Sequence, residues 1–192
     1  MKNFHSTRTD SGFSMIELMT VIGIMVLLAG ILIASLPGIQ VRIDRSNVET
    51  FIAELEAGLS TYQIENGIYP QNPPSGDRDS SGVEGSRVLY KYLSGDWDEN
   101  GEVDPDETVY VPRLTLREND NAKKPRVSDI GGFPRVVDAF SNPIRYIAEP
   151  PNLPSTQRNS EMRNPTYDLW AIADADPEDP EDEPKYITNW GN

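Results

Sequence analysis

The chain has 192 residues, a formal net charge of -14 and no cysteine. The acidic balance argues against nucleic acid as a partner, because phosphate binding needs a basic face. The missing thiols exclude a disulfide framework and any thiolate metal site, so a single domain of this length is held by packing or by a bound group, for which calcium suits the charge.

Met1 to Gly12 is short, polar and weakly basic through Lys2 and Arg8, as expected of a segment left on the cytoplasmic side of a membrane. The 19 residues from Leu18 to Leu36 carry no charge. As a helix at 1.5 Å per residue they span roughly 29 Å, about one hydrocarbon core. Glu17 stands at the mouth of this run, where an ionised carboxylate costs on the order of a few kcal/mol unless it finds a partner. A cleaved secretory signal has a shorter apolar core and no acid at its entrance. An ordinary membrane anchor explains the run but leaves Gly12 and Glu17 without a reason.

Gly12-Phe13-Ser14-Met15-Ile16-Glu17 followed by an apolar helix resembles the type III prepilin signal of type IV pilins and type II secretion pseudopilins. The resemblance implies that a prepilin peptidase cuts between Gly12 and Phe13 and that Phe13 becomes the N-methylated first residue. Glu17 then answers the positive amino terminus of a neighbouring subunit. Two charges that are each costly in an apolar filament core thereby compensate one another.

Beyond the run, Pro37-Gly38 is a point where a helix kinks, because proline removes a backbone donor and crowds the preceding turn. From Ile39 to Glu65 the apolar positions Val48, Phe51, Ile52, Leu55, Leu59 and Tyr62 recur at three and four. This spacing predicts an amphipathic helix with one face under a globular head. Asn66-Gly67 supplies its stop, and Tyr69-Pro70 prevents its continuation. Thr61 to Pro70, ending in Gly-Ile-Tyr-Pro, also resembles the helix end of the major pseudopilin of type II secretion.

Gln71 to Gly85 is rich in Pro, Ser, Gly and Asp and reads as an exposed loop. Val88 to Leu93 reads as a short helix packed on the long one. Asp96 to Glu107 matches D-x-[DN]-x-[DN]-G followed by five residues and Glu, the loop pattern of EF-hand calcium sites. Alternate oxygen side chains in such a loop point into one cavity, the glycine allows the sharp turn, and a final Glu closes the sphere. The pattern assigns side-chain ligation to Asp96, Asp98 and Asn100, a carbonyl to Glu102, a direct or water-mediated contact to Asp104, and closure to Glu107, with Val103 facing the core. The competing reading is a solvated acidic turn, against which the crowded carboxylates repel one another unless a cation intervenes. A strand-like segment follows in place of the second helix of a sensor, so calcium here is expected to be structural rather than switching.

Val109 to Leu116 reads as a strand and Glu118 to Ser128 as a polar loop. Val136 to Ile147 reads as a turn followed by a strand. It resembles the Asp-Pro-Trp-Gly-Asn-Pro turn of the major pseudopilins at Asp138, Asn142 and Pro143, and departs from it at Ala139, Phe140 and Ser141. Pro150 to Pro165 is a loop, and Tyr167 to Ile172 a strand. The closing Ile187-Thr188-Asn189-Trp190 resembles the family's Ile-x-Asn-Trp. In that family the preceding acidic loop holds calcium. Here the family's ligand positions fall on Ala175 and Tyr186, so either a second metal site has moved to Asp174, Asp176 or Asp179, or the loop at Asp96 replaces it. A solvated acidic loop explains the same residues.

The expected fold is α+β and pilin-like, a long N-terminal helix packed on a small antiparallel-sheet head with long loops. The expected divisions are residues 1-12 as leader, 13-36 as transmembrane and filament-core helix, 37-67 as the amphipathic half, and 68-192 as a periplasmic head. With His5 the one histidine, no Gly-rich phosphate loop and no nucleophile elbow, no catalytic residues are assigned and an enzyme is not expected. The resemblance implies a structural subunit of a type II secretion pseudopilus in the inner membrane, polymerising through its helix. Its partners would be copies of itself, minor pseudopilins, an inner-membrane assembly platform and the prepilin peptidase. A type IV pilin for adhesion, motility or DNA uptake is the alternative, and a calcium-dependent binding module with an uncleaved anchor is a third class.

Overall fold

The computed structural model describes residues 12-72, 81-115, 122-153 and 162-190. The leader up to Ser11, most of the Gln71 to Gly85 loop and half of the Pro150 to Pro165 loop therefore lie outside the described residues. The fold is α+β. A helix of 52 residues, α1 (Met15–Asn66), is followed by α2 (Gly85–Leu93), β1 (Val127–Asp129), β2 (Pro134–Val136), β3 (Arg145–Ala148), β4 (Tyr167–Ala171) and β5 (Ile187–Thr188). Short 3-10 turns cover Pro112–Leu114 and Pro180–Lys185. Contacts divide the chain into one unit up to Val41 and another from Arg42 to Asn192.

The first unit is helix with its apolar side chains in the open. Phe13, Ile16, Leu18, Met25, Leu28 and Ile31 are all more than half exposed. This stretch is long and apolar enough to cross a membrane, and its exposure follows from composition, since a helix greasy on every side has no polar face to turn to water. Residues 37 and 38 remain helical, so Pro37-Gly38 does not end the element.

In the second unit the periodicity of α1 is realised in packing. Val48, Phe51, Leu55 and Leu59 are fully buried and Ile52 nearly so, one stripe at helical spacing. They share a core with Leu89, Tyr90 and Leu93 of α2, Val136, Tyr146 of β3 and Leu169 of β4. Gly67, at φ 81°, closes the helix, its N–H donating to the Gln63 carbonyl at 2.8 Å. As expected, α2 meets α1 through side chains, with the Tyr62 and Tyr92 rings edge to face at 5.6 Å. Gly85 opens α2 because no side chain fits there. A Cβ would lie 1.9 Å from the Tyr146 carbonyl oxygen.

Two antiparallel sheets complete the head. β1 pairs with β2, Val127 opposite Val136, and the second sheet has the order β3-β4-β5, with Tyr146 opposite Leu169 and Ala171 opposite Ile187. The expected strand at Tyr167 is present, and the expected turn and strand after Val136 are present. The Asp138 carboxylate accepts from Phe140 N–H at 2.8 Å and Asn142 N–H at 2.9 Å, and its other oxygen accepts from Ala173 N–H at 3.2 Å. Asn142 Nδ2 donates to the Ala173 carbonyl. Asp138 and Asn142 thus fasten the turn to the end of β4. At the carboxy end, Asn189 exchanges backbone and side-chain hydrogen bonds with Leu169, which fixes β5 on β4.

Two of the expected segments need correction. Among the described residues, Val109 to Thr115 is not a strand. The N–H groups of Tyr110 and Val111 both donate to the Leu93 carbonyl at 3.0 Å, and Pro112 then starts a 3-10 turn, since proline has no N–H for a ladder and a fixed φ suited to a turn. The polar segment up to Ser128 gives way earlier than expected, because Val127 and Ser128 already belong to β1.

Candidate functional site

The Asp96 to Glu107 loop leaves the end of α2 through Ser94 and Gly95, the latter at φ 77°. Within it Gly101 adopts φ 94°, a conformation that costs glycine little and other residues more. The loop is built on Asp96, whose side chain is buried. One Asp96 oxygen accepts from Asn100 N–H at 3.0 Å, and the other from Gly101 N–H at 2.9 Å and the Tyr90 hydroxyl at 2.5 Å. Asp104 Oδ2 accepts from Trp97 N–H at 3.1 Å, and Asp104 N–H donates to the Gly95 carbonyl at 2.8 Å. The two arms of the loop are therefore tied across its mouth.

This folding brings carboxylate oxygens of Asp96, Asp98 and Asp104 within 4.8 Å of one another. Oxygen-only donors of this kind suit a hard divalent cation such as calcium. Among the described residues the Glu107 carboxylate is not part of the group. The Asn100 side chain donates to Asp98 and accepts from Glu102 N–H at 2.8 Å, so it braces the loop. Val103 corrects its expectation: it is 42% exposed and does not enter the core. The residues thus fit a cation at three of the expected positions.

Sequence reading missed the residues that support this loop. Tyr90, read only as a helix residue, is fully buried, and burial followed by its hydrogen bond to Asp96 pushes its phenol pKa up. Arg87 grips Glu99 in a forked pair at 2.7 to 3.0 Å, with the Glu99 side chain 9% exposed, and so turns that acid away from the aspartates. Lys91 Nζ lies 4.5 Å from the Trp97 ring centre, and Tyr92 meets the same ring edge-on at 4.8 Å. Arg87, Tyr90 and Lys91 recur along α2 at three and four, which was the available signal.

The second acidic stretch is arranged differently. Asp174 pairs with Arg45, Asp176 Oδ1 accepts from Glu178 N–H, and Asp179 Oδ1 accepts from Glu181 N–H. Their carboxylates are not gathered as those of Asp96, Asp98 and Asp104 are.

At the amino end, Gly12 and Phe13 are exposed and non-helical immediately before α1. The Ser14 carbonyl accepts from Glu17 N–H at 3.0 Å and Leu18 N–H at 3.2 Å. Glu17 sits in the first turn, where the helix dipole favours a negative charge.

A long N-terminal helix with an apolar exposed half, joined to a small antiparallel-sheet head, defines a pilin-like α+β protein. Within that class the chain is similar to type II secretion system core protein G. It is 36% identical over 63 residues to core protein G of Klebsiella michiganensis, covering 33% of this chain and 44% of the relative. The match to that of Vibrio cholerae is 33% over 63 residues, 33% of this chain and 43% of the relative. For Aeromonas hydrophila it is 35% over 63 residues, 33% and 44%. The chain thus spans less than half the length of these relatives. No family model matches the chain, and no solved structure matches it.

Proposed function

We propose that this chain is a structural subunit of a type II secretion pseudopilus. The observation that carries the reading is the coincidence, in one chain, of similarity to core protein G with an exposed apolar helix whose first turn holds Glu17. Processing between Gly12 and Phe13 and N-methylation of Phe13 yield the mature subunit, anchored in the inner membrane with its head in the periplasm. Copies assemble by burying their apolar helices against one another, which removes from lipid or water the surface that the single chain leaves open. Each Glu17 answers the amino terminus of a neighbour. Extension of the filament drives proteins across the outer membrane, in concert with minor pseudopilins, the assembly platform and the prepilin peptidase.

Calcium belongs to this reading as a structural ion. Asp96, Asp98 and Asp104 would hold it, and Tyr90 and the Gly101 N–H would keep Asp96 oriented. The ion supplies positive charge where three carboxylates crowd, and ties the loop to α2.

Two measurements test the proposal. Coexpression with a prepilin peptidase, followed by mass spectrometry, is expected to give a chain beginning at methylated Phe13. Glu17→Val is expected to leave processing intact and abolish filaments seen by electron microscopy. An uncleaved chain, or filaments undiminished by Glu17→Val, would overturn the pseudopilus reading. Calorimetric titration of calcium into the full chain in detergent micelles is expected to show binding that Asp96→Ala with Asp98→Ala removes; silence of the wild type would sink the calcium claim alone.

A further inference from the structure

We propose that Arg45 serves as the cation that closes the carboxy-terminal acidic loop, so that this loop is clasped to α1 by a guanidinium and not by a metal ion. Residues 174-183 carry seven carboxylates, and no residue of the 3-10 segment Pro180–Lys185 is buried. Ala175 is the one buried residue between 174 and 183, so apolar packing holds the loop on the head through a single small side chain. Arg45 reaches both of its ends. Nη1 donates to Asp174 Oδ1 at 2.5 Å and Nη2 to the Lys185 carbonyl at 2.7 Å. A carboxylate and a main-chain carbonyl are the donor types a calcium ion takes. Here the planar fork of one arginine takes both, a geometry for which its fixed donors are suited.

The rest of the loop is arranged around that closure. Asp176 and Asp179 cap turns of their own backbone, Asp182 pairs with Lys185, and Glu183 pairs with Arg163 at 2.6 Å. Five of the loop's seven acids are thus distributed among side chains and N–H groups instead of converging on one point. Because Arg45 and Asp174 are 28% and 34% exposed, the clasp is open to screening by salt. It follows that attachment of the loop is weakened by ionic strength and is indifferent to chelators.

Hydrogen exchange read by mass spectrometry on the full chain in detergent micelles tests this. Exchange over residues 174-186 is expected to rise roughly threefold or more in Arg45→Gln, the scale set by losing one exposed ion pair. Asp174→Asn is expected to do the same, and 0.5 M salt is expected to raise exchange in the wild type, while EDTA leaves it unchanged there. Peptides spanning β3 and β4 report whether each variant is folded. If Arg45→Gln does not fold, Asp174→Asn and the salt series carry the test. Opening of the loop by EDTA in the wild type, or unchanged exchange in both variants, would overturn the proposal.

Discussion

The Tyr90 hydroxyl donates to the Asp96 carboxylate at 2.5 Å, joining the middle of α2 to the first acid of the loop that follows it. Both side chains are buried, so the hydroxyl and the carboxyl oxygen satisfy one another away from water. The bond fixes the direction in which Asp96 presents its oxygens. Removing such a partner of a metal ligand lowers affinity by about 10-fold or more. On the calcium reading proposed above, Tyr90→Phe is therefore expected to weaken calcium binding by about that factor in calorimetric titration, with the helix retained by circular dichroism.

The core of the head is the apolar face of α1. Phe51 is fully buried at its centre, and its truncation leaves a cavity the surrounding strands cannot fill. Phe51→Ala is expected to cost about 3 to 5 kcal/mol, read as a fall in the denaturation midpoint of the head by tryptophan fluorescence. Gly85→Ala tests close approach. Its new Cβ would sit 1.9 Å from the Tyr146 carbonyl oxygen, so α2 and β3 must separate, and a loss of about 1 to 3 kcal/mol is expected.

Asp138 is 1% exposed and satisfies the N–H groups of Phe140, Asn142 and Ala173. Asp138→Ala leaves these donors without their acceptor in the interior. A buried donor so deprived costs about 1 to 3 kcal/mol. Chemical denaturation is expected to show a loss of at least that size, with fast exchange of the Ala173 amide as its local sign.

The tyrosines make the head sensitive to alkali. Burial, then the nearby Glu56 charge, pushes the Tyr167 phenol up to about 12, and burial holds Tyr146 above the usual range as well. The fold favours the neutral phenols. Stability is therefore fully present below pH of about 10, the unfolded value, and falls as pH rises through about 12. Ultraviolet titration is expected to show Tyr146 and Tyr167 ionising only as the head unfolds; their ionisation with the fold intact would refute this.

Much of the molecule was legible from near neighbours in the chain. The spacing of Val48, Phe51, Leu55 and Leu59 specified which face of α1 is buried. Asn66-Gly67 specified where α1 stops, and the run from Leu18 specified a helix with no polar side. The alternation of acids around Gly101 marked the loop that gathers Asp96, Asp98 and Asp104. Periodicity and backbone sterics act over a few residues, so they leave their signature in local sequence.

What the tertiary structure decided are the partnerships between distant segments. Val109 to Leu116 has strand-like residues, yet the Leu93 carbonyl takes two of its N–H groups and Pro112 turns the chain. Val103 lies at the surface although its place in the loop pattern pointed it inward. Arg45 and Asp174 stand 129 residues apart, and nothing near either of them in the chain announces the other. Core burial brings such segments together first, and only then do their charges and unpaired backbone groups find the partners that close the loops.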